Sequence, residues 1–118
     1  MRVLIIDDSE ASVRHLEAVL TSLGQETIGR AQDGAEGVRA ATEGRPDVIF
    51  LDLVMPQMDG LAALRVLRRV VPNTQVIVVT SVREESQISQ ALGLGAAGVV
   101  YKPFQRADIH DALFGKGA

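Results

Sequence analysis

Four short apolar runs punctuate the chain, and each stops at or beside a chemically capable residue. "VLII" (Val3–Ile6) stops at Asp7, "VIFL" (Val48–Leu51) at Asp52, "VIVV" (Val76–Val79) at Thr80, and "GVV" (Gly98–Val100) ends near Lys102. Unbroken rather than alternating apolarity predicts strands covered on both faces, as in a parallel sheet. A weaker run, "ETIGRA" (Glu26–Ala31), predicts a less buried strand.

Between these runs the apolar spacing becomes helical. Ser9 is placed to cap a helix carrying Val13, Leu16, Val19, Leu20 and Leu23 on one face, with Gly24 as its stop. Asp33 followed by Glu36 resembles a capping box, and Gly44 and Pro46 close that second helix. Leu61, Leu64, Val66 and Leu67 form a third stripe that ends at Pro72 and Asn73. In "REESQISQALGLG" the residues Ile88, Ala91 and Leu92 are expected to face inward, and "QRADIHDALF" makes a fifth helix. Strand then helix, five times over, predicts an α/β fold: a doubly wound parallel sheet with right-handed crossovers.

A chain of 118 residues with 47% hydrophobic content suits one domain, residues 1–118, with a packed core. The net charge of −3 supplies no excess of cations for phosphate neutralisation, which argues against direct nucleic-acid binding. The cluster "RVLRR" (Arg65–Arg69) reads as a solvated helix face. With no cysteine, disulfides, thiolate metal sites and cysteine nucleophiles are excluded. "MRVLIIDD" has neither the form of a signal peptide nor that of an anchor, and no apolar run is long enough to span a bilayer, so a cytoplasmic protein without membrane contact is expected.

Open parallel sheets build their sites at the carboxyl ends of the strands. Asp7 and Asp8, Asp52, Thr80 and Ser81, and Lys102 all fall at such ends. The first of these turns reads "DDSE", where a nucleotide-binding fold would carry phosphate-cradling glycines. Carboxylates there call for a divalent cation, and an all-oxygen donor set suits Mg²⁺ or Mn²⁺. Beside such a cation and Lys102, Asp52 stays ionised and serves as a nucleophile. The cation, Lys102 and the Thr80 hydroxyl would then hold the oxygens of an incoming phosphoryl group, giving an aspartyl phosphate.

These residues carry a resemblance. "IIDDSE", "FLDLVMPQMDG", "VTS" and "YKPF" stand in the order and at the spacings of the receiver domain of bacterial two-component response regulators, over the whole chain. The resemblance implies a flavodoxin-like sheet of order 2-1-3-4-5 with five helices. It implies Asp52 as phosphoacceptor and Asp8 as a direct Mg²⁺ ligand. Asp7 would act through a metal-bound water, and Asp52 and the Val54 carbonyl would complete the protein ligands. Thr80 resembles the switch hydroxyl and Lys102 the lysine that pairs with the phosphoryl group. A cis bond between Lys102 and Pro103 is implied too. The expected partners are a sensor histidine kinase or phosphotransfer protein, and a downstream protein that docks on the fourth helix, fifth strand and fifth helix. The protein would catalyse only its own phosphorylation and dephosphorylation, as a monomer or weak homodimer.

The chain departs from the family pattern at three side chains. Val99 stands three residues before Lys102, where the family usually has an aromatic, and Tyr101 is the nearest one. Val54 and Val82, two residues after Asp52 and Thr80, replace side chains that are often polar and help orient the attacking water. Two valines there imply slow self-dephosphorylation. A phosphorylation-independent interaction module on the same fold is a second reading. An aspartyl phosphohydrolase is a third, weakened because Asp52-Leu53-Val54 lacks the usual second acid. Ser9 reads as a helix cap and Asp59-Gly60 as turn chemistry, with Asp59 also able to cap the third helix; Met55 and Pro56 read as loop-shaping, Met58 as packing, and His15 and His110 as surface or satisfied residues.

Overall fold

The computed structural model describes residues 1–55 and 59–115; the roles expected for Pro56 and Met58 fall outside them. Five strands alternate with five helices: β1 (Arg2–Ile6), α1 (Glu10–Ser22), β2 (Glu26–Ala31), α2 (Gly34–Gly44), β3 (Val48–Leu51), α3 (Gly60–Val70), β4 (Gln75–Thr80), α4 (Glu85–Gly93), β5 (Gly98–Tyr101) and α5 (Arg106–Phe114). The strands form one parallel sheet in the order β2-β1-β3-β4-β5. Among the described residues no helix is long and apolar enough to cross a membrane.

Alternate residues of each central strand feed opposite cores, which is why the strands read as unbroken apolar runs. Val3, Ile5, Phe50, Ile77 and Val79 pack with Val13, Leu16 and Leu20 of α1 and Ile109 of α5. Leu4, Ile6, Ile49, Leu51, Val76 and Val78 pack on the other face with Ala41, Leu64, Leu67 and Ala91 of α2, α3 and α4. β2 lies at the sheet edge and is only half-buried, as its mixed composition predicts.

The caps explain most helix boundaries. The Ser9 hydroxyl accepts from the Ser12 amide (3.3 Å), the Asp33 carboxylate from the Glu36 amide (2.8 Å), and the Asp59 carboxylate from the Ala62 amide (2.9 Å). At the end of α1, Gly24 takes φ +77°, which a residue with a Cβ resists. The amides of Gly24 and Gln25 there donate to the carbonyls of Thr21 (3.0 Å) and Leu20 (2.9 Å).

Three details differ from the sequence reading. The left-handed residue closing α2 is Arg45 (φ 47°), while Gly44 is still helical. Its carbonyl accepts from the Arg2 guanidinium (2.9 Å), a tertiary contact invisible locally. Leu92, expected inward, is 49% exposed. The inward line of α4 runs between half-buried Gln87 and Ile88 and buried Ala91, and Leu92 lies about 100° beyond Ala91. Arg68 is not merely solvated, because its guanidinium donates to the carbonyls of Pro72 (3.3 Å) and Thr74 (3.0 Å) and ties the end of α3 to β4.

Candidate functional site

Register brings the chemistry together. Ile6 pairs with both Ala31 and Leu51, Leu51 with Val78, and Thr80 with Tyr101, so the four strand ends fall on one edge. The Asp7 amide donates to the Ala31 carbonyl and the Asp52 amide to the Ile6 carbonyl, both at 2.9 Å. Each acid therefore leaves its strand at a fixed height before its side chain is placed.

Asp7, Asp8 and Asp52 each bring a carboxylate oxygen into a group whose members lie within 4.8 Å of one another. Asp7 and Asp52 are buried, and Asp8 is exposed. One oxygen of Asp7 accepts from the Ser9 amide (2.8 Å), and the other meets the Lys102 ammonium at 2.8 Å. Lys102 also reaches Asp52 Oδ2 at 3.2 Å, while Asp52 Oδ1 accepts from the Val54 amide at 3.1 Å. The shorter bond of Lys102, to Asp7, is one that sequence reasoning missed; spacing along the chain carries no signal for it.

Burial pushes the Asp52 carboxyl up, and the nearby Asp7 charge adds to the push. The Val54 amide and Lys102 oppose it without cancelling it. Burial works to lower Lys102, but its hydrogen bond to Asp7 and the charges of both carboxylates outweigh that, so the ammonium is held above its ordinary range. Two acids and one lysine are thus a net negative cluster in a place where charge is poorly solvated. An all-oxygen donor set with surplus negative charge fits a hard divalent cation.

Thr80 is fully buried, and its hydroxyl accepts from the Val82 amide at 3.1 Å. Ser81, next to it, is exposed. Val54 is 58% exposed, an apolar side chain standing at the mouth beside Asp52. The Lys102–Pro103 bond is cis, as the resemblance implies. His15 is exposed on α1 and stacks on Phe104 with ring centroids 4.5 Å apart.

Gly60 is a contributor that the sequence hid. Read as turn chemistry with Asp59, it opens α3 so close to the preceding loop that an added Cβ would meet the Asp52 carbonyl oxygen and the Leu53 carbonyl carbon, each at 2.7 Å. Its own amide donates to the Leu53 carbonyl at 2.9 Å, closing the loop that follows the central acid.

The chain is similar to known proteins over nearly its whole length. Residues 3–114 match the response regulator receiver domain. The chain is 33% identical to the chemotaxis protein CheY of Thermotoga maritima, over 95% of this chain and 93% of that protein. It is 44% identical to protein-glutamate methylesterase/protein-glutamine glutaminase 3 of Geobacter sulfurreducens, covering 98% of this chain but only 33% of that protein. Among solved structures, a chain of the CheX–CheY–BeF3–Mg²⁺ complex of Borrelia burgdorferi superposes with a TM-score of 0.92. That likeness has 32% identity and covers 96% of this chain and 86% of that one. The chain belongs to the response regulator receiver domains, the phosphoacceptor signalling modules of two-component systems.

Proposed function

We propose that Asp52 is the residue that accepts the phosphoryl group, and that Asp7, Asp8, Asp52 and the Val54 carbonyl hold Mg²⁺ beside it. The observation that carries this reading is the convergence of Asp7, Asp8, Asp52 and Lys102 at one sheet edge. Mg²⁺ would supply the positive charge that this acidic cluster lacks, and the Borrelia relative is described in complex with Mg²⁺ and BeF3. Asp8, exposed and outside the Lys102 bonds, is the acid most available to a cation. Asp7, already engaged by Lys102 and the Ser9 amide, suits a role through water. Mn²⁺ offers similar oxygen chemistry.

The Val54 amide fixes one Asp52 oxygen and leaves the carboxylate aimed at the mouth. That carboxylate attacks phosphorus, the bond from phosphorus to the donor nitrogen breaks, and the donor imidazole keeps that electron pair. Lys102 follows the new phosphoryl oxygens, and Thr80 donates its hydroxyl to one of them. The donor is a phosphohistidine on a sensor kinase or phosphotransfer protein, in the cytoplasm. The output is a protein partner on the α4–β5–α5 face. No observation favours a phosphorylation-independent module.

Incubation with acetyl phosphate and Mg²⁺ tests this reading. A single phosphoryl adduct in the intact mass is expected, reduced when Mg²⁺ is chelated; a protein that stays unmodified at saturating donor refutes it. Val54 occupies the mouth with a side chain that cannot orient water, so the adduct should hydrolyse slowly. Val54→Gln should shorten its half-life roughly tenfold, below the ~10²-fold of a fully positioned base. Equal decay of the two adducts would show that this side chain does not limit water.

A further inference from the structure

We propose that Arg83 and Tyr101 form a clasp that reports the position of Thr80, an inference that rests on the phosphoacceptor reading above. Tyr101 ends β5 directly opposite Thr80 in the register of the sheet. The Arg83 guanidinium carbon lies over the tyrosine ring, 4.6 Å from its centroid. Arg83 stands three residues after Thr80 and next to Val82, whose amide is held by the Thr80 hydroxyl at 3.1 Å. One hydroxyl therefore anchors the backbone of this short connection, and one aromatic ring anchors its arginine.

Among the described residues the other side-chain restraints on the segment lie at its surface, where the Glu84 carboxylate accepts from the Ser86 hydroxyl and the Gln87 carboxamide, each at 3.1 Å. Ser81, Arg83 and Glu84 are exposed, and Glu84, at the N-cap of α4, makes no side-chain capping bond. Any displacement of the buried hydroxyl toward a phosphoryl group on Asp52 acts on Val82. Its amide either follows the oxygen or loses its partner, and an unpaired amide is unfavourable. Both outcomes shift Arg83. An exposed cation–π contact is weak enough to break under that shift.

The clasp also covers something. Arg83, Val99, Tyr101, Pro103, Asp108 and Asp111 line a cavity of about 540 Å³ between β5 and α5. Release of Arg83 opens one wall of it and frees the tyrosine ring. Val99, too small to act as a moving aromatic, is one of its lining residues. The aromatic readout in this chain is therefore Tyr101 held by Arg83.

Tyr101 is the sole tyrosine and there is no tryptophan, so intrinsic fluorescence reads the clasp directly. The probe is beryllofluoride with Mg²⁺, its binding followed independently by ¹⁹F NMR. In the wild type, tyrosine emission should change and saturate together with the bound fluorine signal. Arg83→Gln should keep the bound fluorine signal, begin with the emission of the released ring, and lose the change. A bound fluorine signal with unchanged wild-type emission overturns the clasp, as does an equal emission change in Arg83→Gln. Absence of any bound fluorine signal in the wild type would refute the phosphoacceptor reading itself, and the clasp with it.

Discussion

Asp52→Asn is expected to take up no phosphoryl group and yet to melt at a higher temperature than the wild type at neutral pH. Burial raises the Asp52 carboxyl above its ordinary value of 3.8, and the opposing Val54 amide and Lys102 do not undo this. A carboxyl raised in the folded state binds its proton more tightly folded than unfolded. Its favourable contribution is complete below the ordinary value and is lost as pH rises through the raised one. Asparagine removes that loss. Its carboxamide oxygen can still accept from the Val54 amide, and Lys102 keeps its 2.8 Å bond to Asp7. Thermal melts from about pH 4 to about pH 7 should show the wild type falling relative to the variant, ending a few degrees lower. A variant that melts below the wild type at neutral pH would mean that the ionised acid stabilises the fold.

Gly60→Ala should be among the most damaging small substitutions in the chain. The added methyl meets backbone, the Asp52 carbonyl oxygen and the Leu53 carbonyl carbon at 2.7 Å, and backbone cannot rotate aside as a side chain can. Overpacking costs about 1–3 kcal/mol, and a backbone clash on a closed loop belongs at the upper end, ~3 kcal/mol. The same displacement moves Asp52, so phosphoryl uptake should fall even in the fraction that folds. Gly93→Ala is the matched control: it sits in the last turn of α4 with nothing within 4 Å of the added Cβ. That change should be neutral or stabilising by about 0.5–1 kcal/mol. Urea midpoints separate the two, and equal midpoints would show that the loop can open around the methyl without cost.

The fold was legible because its signals are local. Runs such as Val48–Leu51 declare burial on both faces, and Ser9, Asp33 and Asp59 cap where they stand. The acids, Thr80 and Lys102 were legible because each immediately follows or closely trails such a run. What stayed hidden depends on contacts across the sheet. The Asp7–Lys102 pair joins residues 95 positions apart in sequence, from 102 − 7, and no periodicity encodes it. The outward Leu92 reflects which flank of α4 meets the core, where Ala91 is buried and Ile88 packs against it. Arg45 accepts a left-handed backbone beside a tertiary hydrogen bond from Arg2. Gly60 looked like turn chemistry, because a close backbone approach leaves no mark in sequence beyond the glycine itself.

We propose that Asp52, and not a neighbouring hydroxyl, carries the phosphoryl group. Thr80 lies at the end of the adjacent strand and exposed Ser81 beside it, so location discriminates. The direct measurement is peptide mapping of the acetyl phosphate product after borohydride reduction, paired with a hydroxylamine treatment. A reduced aspartyl residue at position 52 alone is expected, with loss of the adduct in hydroxylamine, as an acyl phosphate requires. A hydroxylamine-stable adduct, or one mapped to Thr80 or Ser81, would contradict it.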